Sequence, residues 1–83
     1  MNISQELINK VDKEMDRAIA KWGEHDQIPD NLISAAVEEL GEAAHAFNHN
    51  EGKEKAQQEI VEAIGVLVRL YDMAGVFVES PAK

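Results

Sequence analysis

The sequence predicts an all-α domain built from a helical hairpin and an additional N-terminal helix, and three observations support this prediction. Apolar residues recur at intervals of three and four along three long stretches, which is the spacing of one face of an α-helix. Segments containing Gly, Pro and Asn, which favour helix ends, separate the stretches. The 83 residues suit one small domain, residues 1–83, without repeats or linkers.

The first stretch, residues 3–21, has the pattern of an amphipathic helix. Asn2 is the expected N-cap, with Gln5 three residues later as in a capping box. Gly23 is expected to end the helix. The apolar face consists of Ile3, Leu7, Ile8, Val11, Met15, Ala18 and Ile19. The charged residues that lie off this face are Lys10, Lys13, Glu14, Asp16 and Arg17.

The second helix is expected over residues 31–48, after a loop with the sequence "KWGEHDQIPD" at residues 21–30. Pro29 disfavours helical backbone at the residue before it, and Asp30 is a suitable N-cap. The apolar stripe of this helix consists of Ile33, Val37, Leu40, Ala44 and Phe47. The residues expected to end it are Asn48, Asn50 and Gly52.

The third helix is expected from about residue 53 to about residue 74, with Gly75 near its end. One of its faces carries Ile60, Ile64, Leu67 and Tyr71, and its other faces carry Val61, Val66, Val68 and Leu70. A helix that is apolar nearly all round is buried by several neighbours. A monomer of 83 residues provides few neighbours. We therefore expect a homodimer or homotetramer with a four-helix-bundle core.

Composition restricts the partners and the location. The formal net charge of −8 and the scattered basic residues argue against a nucleic-acid polymer as partner, although an anion can bind through a divalent cation. No apolar run approaches the ~18 residues of a membrane span. The start "MNISQELINK" lacks the features of a signal peptide, and the absence of Cys suits a reducing compartment. These features predict a soluble cytoplasmic protein.

Two pairs of glutamates lie among small and apolar residues. Glu39 and Glu42 are three residues apart on the second helix, and Glu59 and Glu62 on the third, so each pair shares a helix face. The short connection favours antiparallel packing, which puts both pairs at similar height above the turn. Four converging carboxylates repel one another unless they are protonated or neutralised. Their oxygens suit Mg²⁺ or Mn²⁺.

Glycines beside these pairs support the same interpretation. Gly41 and Gly65 each cost a helix interior about 1 kcal/mol relative to Ala. Small residues there leave room for a close helix approach or for a ligand above the metal. The alternative is that the glutamates lie on solvated helix faces, as we expect for most of the sixteen acidic residues.

The pattern E-E-x-x-E, a spacer and then E-x-x-D is typical of the MazG-like, all-α nucleoside triphosphate pyrophosphohydrolases, and this chain resembles that family. The residues that form the pattern here are Glu38, Glu39 and Glu42, then Glu59 and Glu62. "KWG" and "EELGE" add to the resemblance, which spans roughly residues 21–72. One departure is Glu62, where the family usually has Asp, and the longer side chain changes the spacing of the ligands.

The resemblance implies Mg²⁺-dependent or Mn²⁺-dependent cleavage of a nucleoside triphosphate to the monophosphate and pyrophosphate. It implies that Glu39, Glu42, Glu59 and Glu62 are the metal ligands. Glu38 would help to bind a further metal or orient the attacking water. Metal ions position water and neutralise phosphate charge, so this reaction needs little covalent chemistry from the protein.

Basic and aromatic residues are candidate contacts for the substrate. Arg69 shares a face with Glu62 and is expected to approach the triphosphate, unless it pairs with Glu62 or Asp72. Trp22 could stack on a nucleobase or pack over the first helix as a lid. The remaining candidates are Lys21, His25, Lys53 and Lys55, and ordinary salt bridges are the alternative for the lysines.

Three alternatives stay open. Glu42 and His45 match half of a ferritin-like di-iron site, and a homodimer would supply the other half. His45 and His49, four residues apart, could bind zinc. Finally, the chain could be a non-catalytic dimeric module whose acids are structural, or bind metal or nucleotide without turnover.

Overall fold

The protein folds into three α-helices in a computed structural model that describes residues 2–22, 29–78 and 81. Helix α1 spans Gln5–Trp22, α2 spans Pro29–Asn48 and α3 spans Lys53–Phe77. The described residues contain no β-strand. The prediction of three helices in an all-α fold is therefore confirmed. None of the described helices combines the length and apolar character needed to cross a membrane.

The N-cap of α1 is Ser4, so the prediction of Asn2 is wrong. The Ser4 Oγ accepts a hydrogen bond from the backbone N–H of Leu7 at 3.1 Å. This bond satisfies one of the amide groups that have no partner within the first turn of a helix. Gln5 donates to Asn9 Oδ1 at 2.9 Å and takes no part in a capping box. The predicted role of Gly23 lies outside the described residues.

Two other helix ends differ from the prediction. Helix α2 begins at Pro29, so Asp30 lies within its first turn and is not its cap. Proline is favoured at the first helical position, because its missing N–H would have no partner there, and an acid in the first turn complements the helix dipole. Helix α3 continues through Gly75 to Phe77, since one glycine is tolerated within a helix.

A tight turn joins α2 to α3 and sets their antiparallel arrangement. Asn50 has a positive φ of 53°. Its N–H donates to the carbonyl of Phe47 at 3.4 Å, and the N–H of Glu51 donates to the carbonyl of Ala46 at 3.0 Å. This pair of bonds is a Schellman motif, in which asparagine is the commonest residue after glycine at the left-handed position. Gly52, with φ 103°, then leads into α3.

Helix α3 is the central element, because both α1 and α2 pack against it. Within the described ranges, the backbones of α1 and α2 do not approach each other as closely as each approaches α3, and a groove lies between them over α3. The apolar residues buried in the core are mostly small: Val11, Ala18, Leu32, Ala43, Ala46, Ala56 and Val61. Alanines at the α2–α3 contact permit a close approach of the two helix backbones.

The hairpin has one broad apolar surface that faces solvent, here named the apolar side. It includes most of the predicted apolar stripe of α2 and one face of α3, and its exposed large residues are Ile33, Val37, Leu40, Phe47, Ile60, Leu67 and Tyr71. Val37 is 68% exposed and Leu40 is 66% exposed. The surface of α2 that packs on α3 is instead formed by alanines, Leu32 and the acidic face.

Gly65 lies where α1 crosses α3. A Cβ at this position would be 3.3 Å from Glu14 Cγ and 3.9 Å from Met15 Cγ, and the first distance is tighter than ordinary van der Waals contact. Gly41 is different, because nothing in the described structure lies within 4 Å of an added Cβ there. Of the two roles predicted for these glycines, a close helix approach is present at Gly65 and not at Gly41, and room for a ligand above the metal stays a prediction.

We expect Gly41→Ala to raise the free energy of unfolding by about 0.5–1 kcal/mol, the ordinary gain of alanine over glycine in a helix. Gly65→Ala should bring no such gain, because the added methyl group pushes against the buried Glu14 side chain. Urea denaturation followed by circular dichroism measures both changes. Equal stabilisation by the two substitutions would show that the contact at Gly65 is not restrictive.

Candidate metal centre

Three carboxylates from two helices converge on one side of the hairpin. Glu39 and Glu42 come from α2 and Glu59 comes from α3. One carboxylate oxygen of each lies within 4.8 Å of the others. The i, i+3 spacing of the α2 pair and the antiparallel turn bring them together. These are three of the four residues predicted as metal ligands, and they are named the acid cluster below.

Glu59 is the most informative member of the acid cluster. Its side chain is buried, with the residue only 3% exposed. One oxygen accepts a hydrogen bond from Lys55 Nζ at 2.8 Å, and the other has no hydrogen-bond partner in the described residues. The Oε2 of Glu39 is likewise buried without a partner there. Buried acceptors without partners cost about 1–3 kcal/mol each, so these oxygens are poised for a positively charged ligand.

The raised pKa values of Glu39 and Glu42 indicate that the negative charge of the acid cluster is not fully neutralised by nearby positive groups. Burial, followed by the nearby charges of Glu62, Glu42 and Glu59, raises the pKa of Glu39 from its ordinary value of 4.5 to about 7. A hydrogen bond from its protonated carboxyl to Glu59 raises the pKa of Glu42. The hydrogen bond from Lys55 lowers the pKa of Glu59. Protonation of Glu39 and Glu42 therefore reduces the repulsion among these carboxylates. A divalent cation would reduce the same repulsion when the carboxylates are ionised.

Glu62, the fourth predicted ligand, lies beside the acid cluster but is not one of the three converging residues. Burial and the charge of Glu59 raise its pKa. Its Oε1 is 3.8 Å from Arg17 Nη2 on α1. Glu62 therefore connects the acid cluster to the groove between α1 and α2.

This groove has a volume of about 500 Å³, within the range of small-molecule sites. Its charged lining consists of Glu14, Arg17, Glu38, Glu39, Glu62 and Arg69, and apolar lining residues include Met15, Leu32, Ala35 and Val66. Glu38 and Arg69, which the sequence singled out, thus share one cavity with Glu39. Glu39 belongs to both the groove and the acid cluster, so the two adjoin each other.

Sequence reasoning missed Glu14 and Arg17. The Arg17 guanidinium donates two hydrogen bonds to the Glu14 carboxylate, from Nε to Oε2 at 2.9 Å and from Nη2 to Oε1 at 2.5 Å. Glu14 is only 8% exposed, because it packs against Gly65 of α3. Their i, i+3 spacing on α1 was visible in the sequence, but it is shared by many surface ion pairs.

The other predicted substrate contacts are spread more widely. Lys55 lies on the far side of the acid cluster, where it lines a hollow of about 410 Å³ with Glu42, His45 and Glu59. Lys21 is exposed in the last turn of α1. Lys53 begins α3 at the turn. The Trp22 side chain and all of His25 lie outside the described part of the structure, so their predicted roles stay predictions.

The histidines do not join the acid cluster. His45 Nε2 is 3.2 Å from Glu51 Oε2. The rings of His45 and His49 lie 4.1 Å apart between centroids. Among the described residues, the group with metal-ligand geometry contains glutamates alone. The geometry therefore favours a cation that prefers oxygen over the zinc and di-iron alternatives.

Comparison of the chain with protein-family models, curated proteins and solved structures finds no match. The geometry and the sequence pattern are therefore the grounds for assigning a function.

Without divalent cations, we expect the protein to lose stability as the pH rises through about 7. The folded-state pKa of Glu39 lies above its ordinary value of 4.5, so the folded state binds the extra proton. Its contribution is full below the ordinary pKa and is lost on ionisation. The lowered pKa of Glu59 affects stability only at more acidic pH, below its ordinary pKa of 4.5.

Thermal unfolding in EDTA at about pH 5 and about pH 8 measures this loss. Glu39→Gln should flatten the pH profile, and Mg²⁺ should stabilise the wild-type protein more at the higher pH. Glu54→Gln, in the exposed first turn of α3, is the matched control. A melting temperature that rises between these pH values would contradict the assignment of the pKa shift.

Proposed function

We propose that this chain is a MazG-like nucleoside triphosphate pyrophosphohydrolase that depends on Mg²⁺ or Mn²⁺. The observation that carries the proposal is the buried Glu59 carboxylate, one oxygen of which has no hydrogen-bond partner among the described residues, and which converges with Glu39 and Glu42 beside a groove of about 500 Å³. The reaction would give a nucleoside monophosphate and pyrophosphate. It agrees with the family whose double acidic motif the sequence resembles.

The residues present fit a hard divalent cation. The donor set consists of carboxylates, and Glu59 is held in place by burial and by Lys55. When bound, the cation would supply charge neutralisation for the phosphates and acidify a water molecule. Glu39 and Glu42 would bind it from α2, and Glu59 from α3. Glu62 would complete the set from the groove.

The groove residues supply substrate binding and water placement. Glu38 lies on the groove wall next to Glu39, where it would accept a hydrogen bond from the attacking water. Arg69 contributes positive charge to the same wall as Glu62. The apolar residues Met15, Leu32 and Val66 offer a surface for the nucleobase. In this proposal the triphosphate would lie near the acid cluster, and the nucleobase would lie against these apolar residues.

Two copies of the chain would pack through their apolar sides to form a four-helix bundle. The apolar side is the most hydrophobic surface of the hairpin and faces solvent in one chain. On a helical wheel of α2, Glu39 and Glu42 lie about 120° or more from the centre of the apolar stripe. A dimer joined through this surface therefore leaves the acid cluster open to the substrate.

A non-catalytic nucleotide-binding or metal-binding module is the second candidate. The observation that favours it is the position of Glu62, which faces Arg17 at 3.8 Å and stands outside the three converging carboxylates. With three ligands, the cluster would hold a cation without the full set that the resemblance implies for turnover. Glu62→Asp distinguishes the two, because it restores the residue that the family usually has.

Purified protein with Mg²⁺ or Mn²⁺ should convert at least one ribo- or deoxynucleoside triphosphate to the monophosphate and pyrophosphate. Glu39→Gln and Glu59→Gln should lower kcat/KM by about 100-fold or more, since they remove carboxylates from the metal site. Chromatographic separation of the products measures both. Glu54→Gln, an exposed acid on α3, should retain activity. Bound metal without turnover, unchanged in Glu62→Asp, would favour the non-catalytic module.

Val37→Lys should convert the wild-type oligomer into a monomer, because it places a charge within the apolar side. Lysine is a good helix former, so the helix itself is retained. Val76→Lys is the matched control: Val76 is 79% exposed on α3 but faces away from the apolar side. Sedimentation velocity measures the mass. A monomeric wild type, or dissociation by both substitutions, would contradict this interface.

A further inference from the structure

The Glu14–Arg17 pair on α1 has no role in the reaction as described so far. Surface ion pairs usually join two mobile, solvated side chains. Here the carboxylate is buried, with Glu14 8% exposed, whereas the arginine side chain is 51% exposed. The pair therefore anchors a guanidinium at a fixed place on the groove wall.

The geometry leaves part of the Arg17 guanidinium available for a ligand. Nε and one hydrogen of Nη2 are directed to Glu14. Among the described residues, Arg17 has one other ion-pair partner, Glu62, whose carboxylate oxygen is 3.8 Å away, which is too long for a strong hydrogen bond. Guanidinium groups bind phosphate oxygens through two parallel N–H donors. An arginine oriented by a buried acid is preorganised for such binding.

We propose that Arg17, positioned by Glu14, binds the phosphate chain of the substrate at the α1 wall of the groove. This inference rests on the proposed function, because the groove is acidic and accepts a polyphosphate once a cation neutralises the acid cluster. Arg17 is then the counterpart of Arg69 on α3, and both groups line the same cavity. The phosphates would be held between a cation on one side and a fixed guanidinium on the other.

Arg17 has an alternative role as a counter-ion for the acids. In that role it would neutralise Glu14 and Glu62, compete with the divalent cation and make no contact with phosphate. The two roles differ in a measurable way. Loss of a phosphate contact weakens polyphosphate binding, whereas loss of a counter-ion strengthens cation binding and leaves polyphosphate binding unchanged.

The test measures binding of inorganic pyrophosphate in excess Mg²⁺, and of Mn²⁺ alone, by titration calorimetry. Arg17→Gln should weaken pyrophosphate binding by about tenfold or more, the usual effect of one charge-assisted hydrogen-bonding group. Lys10→Gln, which removes an exposed positive charge paired with Glu6 on the same helix, should leave it unchanged. Glu14→Gln should weaken it less than Arg17→Gln, because the charge remains but its orientation is lost.

Removing Arg17 alone leaves Glu14 buried without its partner, which can unfold the chain. The double variant Glu14→Gln/Arg17→Gln avoids this charge, and circular dichroism confirms that each variant is folded. Weaker pyrophosphate binding in the double variant supports the proposal even if no triphosphate is hydrolysed. Wild-type pyrophosphate affinity in the double variant, or no binding by the wild-type protein in Mg²⁺, overturns it whatever the hydrolysis assay shows.

Discussion

The close antiparallel approach of α2 and α3 is the constraint on which the rest of the structure depends. Alanines at the contact, among them Ala43, Ala46 and Ala56, let the two helices approach closely. Glu59 is buried in this contact, and the Schellman turn at Asn50 sets it level with Glu39 and Glu42. Larger side chains would separate the helices and let water solvate the carboxylates. The small core is therefore part of the site, because it keeps the Glu59 carboxylate out of water, which costs free energy.

Much of this arrangement could be predicted from the sequence, because helical periodicity is a local property. Periodicity predicts the three helices and predicts that the two glutamates of each pair share a helix face. It left two faces of α2 as candidates for the inward contact, the apolar stripe and the glutamate face. Hydrophobicity points to the stripe of Val37 and Leu40, but that stripe is exposed, and the alanine-rich acidic face makes the contact. The choice depends on how closely backbones can approach, which is a tertiary property.

The role of α1 was beyond sequence reasoning for a related reason. Glu14 and Arg17 have the spacing of an ordinary surface pair, and only the crossing at Gly65 buries the carboxylate. That crossing requires glycine at position 65 of α3, where a side chain would push against Glu14 of α1. The Ser4 cap was missed because two polar residues precede the helix, and the hydrogen bond to Leu7 decides between them. Periodicity identifies which residues share a helix face, but not the hydrogen-bond partner of Ser4 or the contact that buries Glu14.

The length of the Glu62 side chain determines how near its carboxylate comes to Arg17. An aspartate at this position would be shorter by one methylene, about 1.5 Å. Its carboxylate would lie further from Arg17, which Glu62 approaches to 3.8 Å. The longer side chain thus links the acid cluster on the hairpin to the guanidinium on α1.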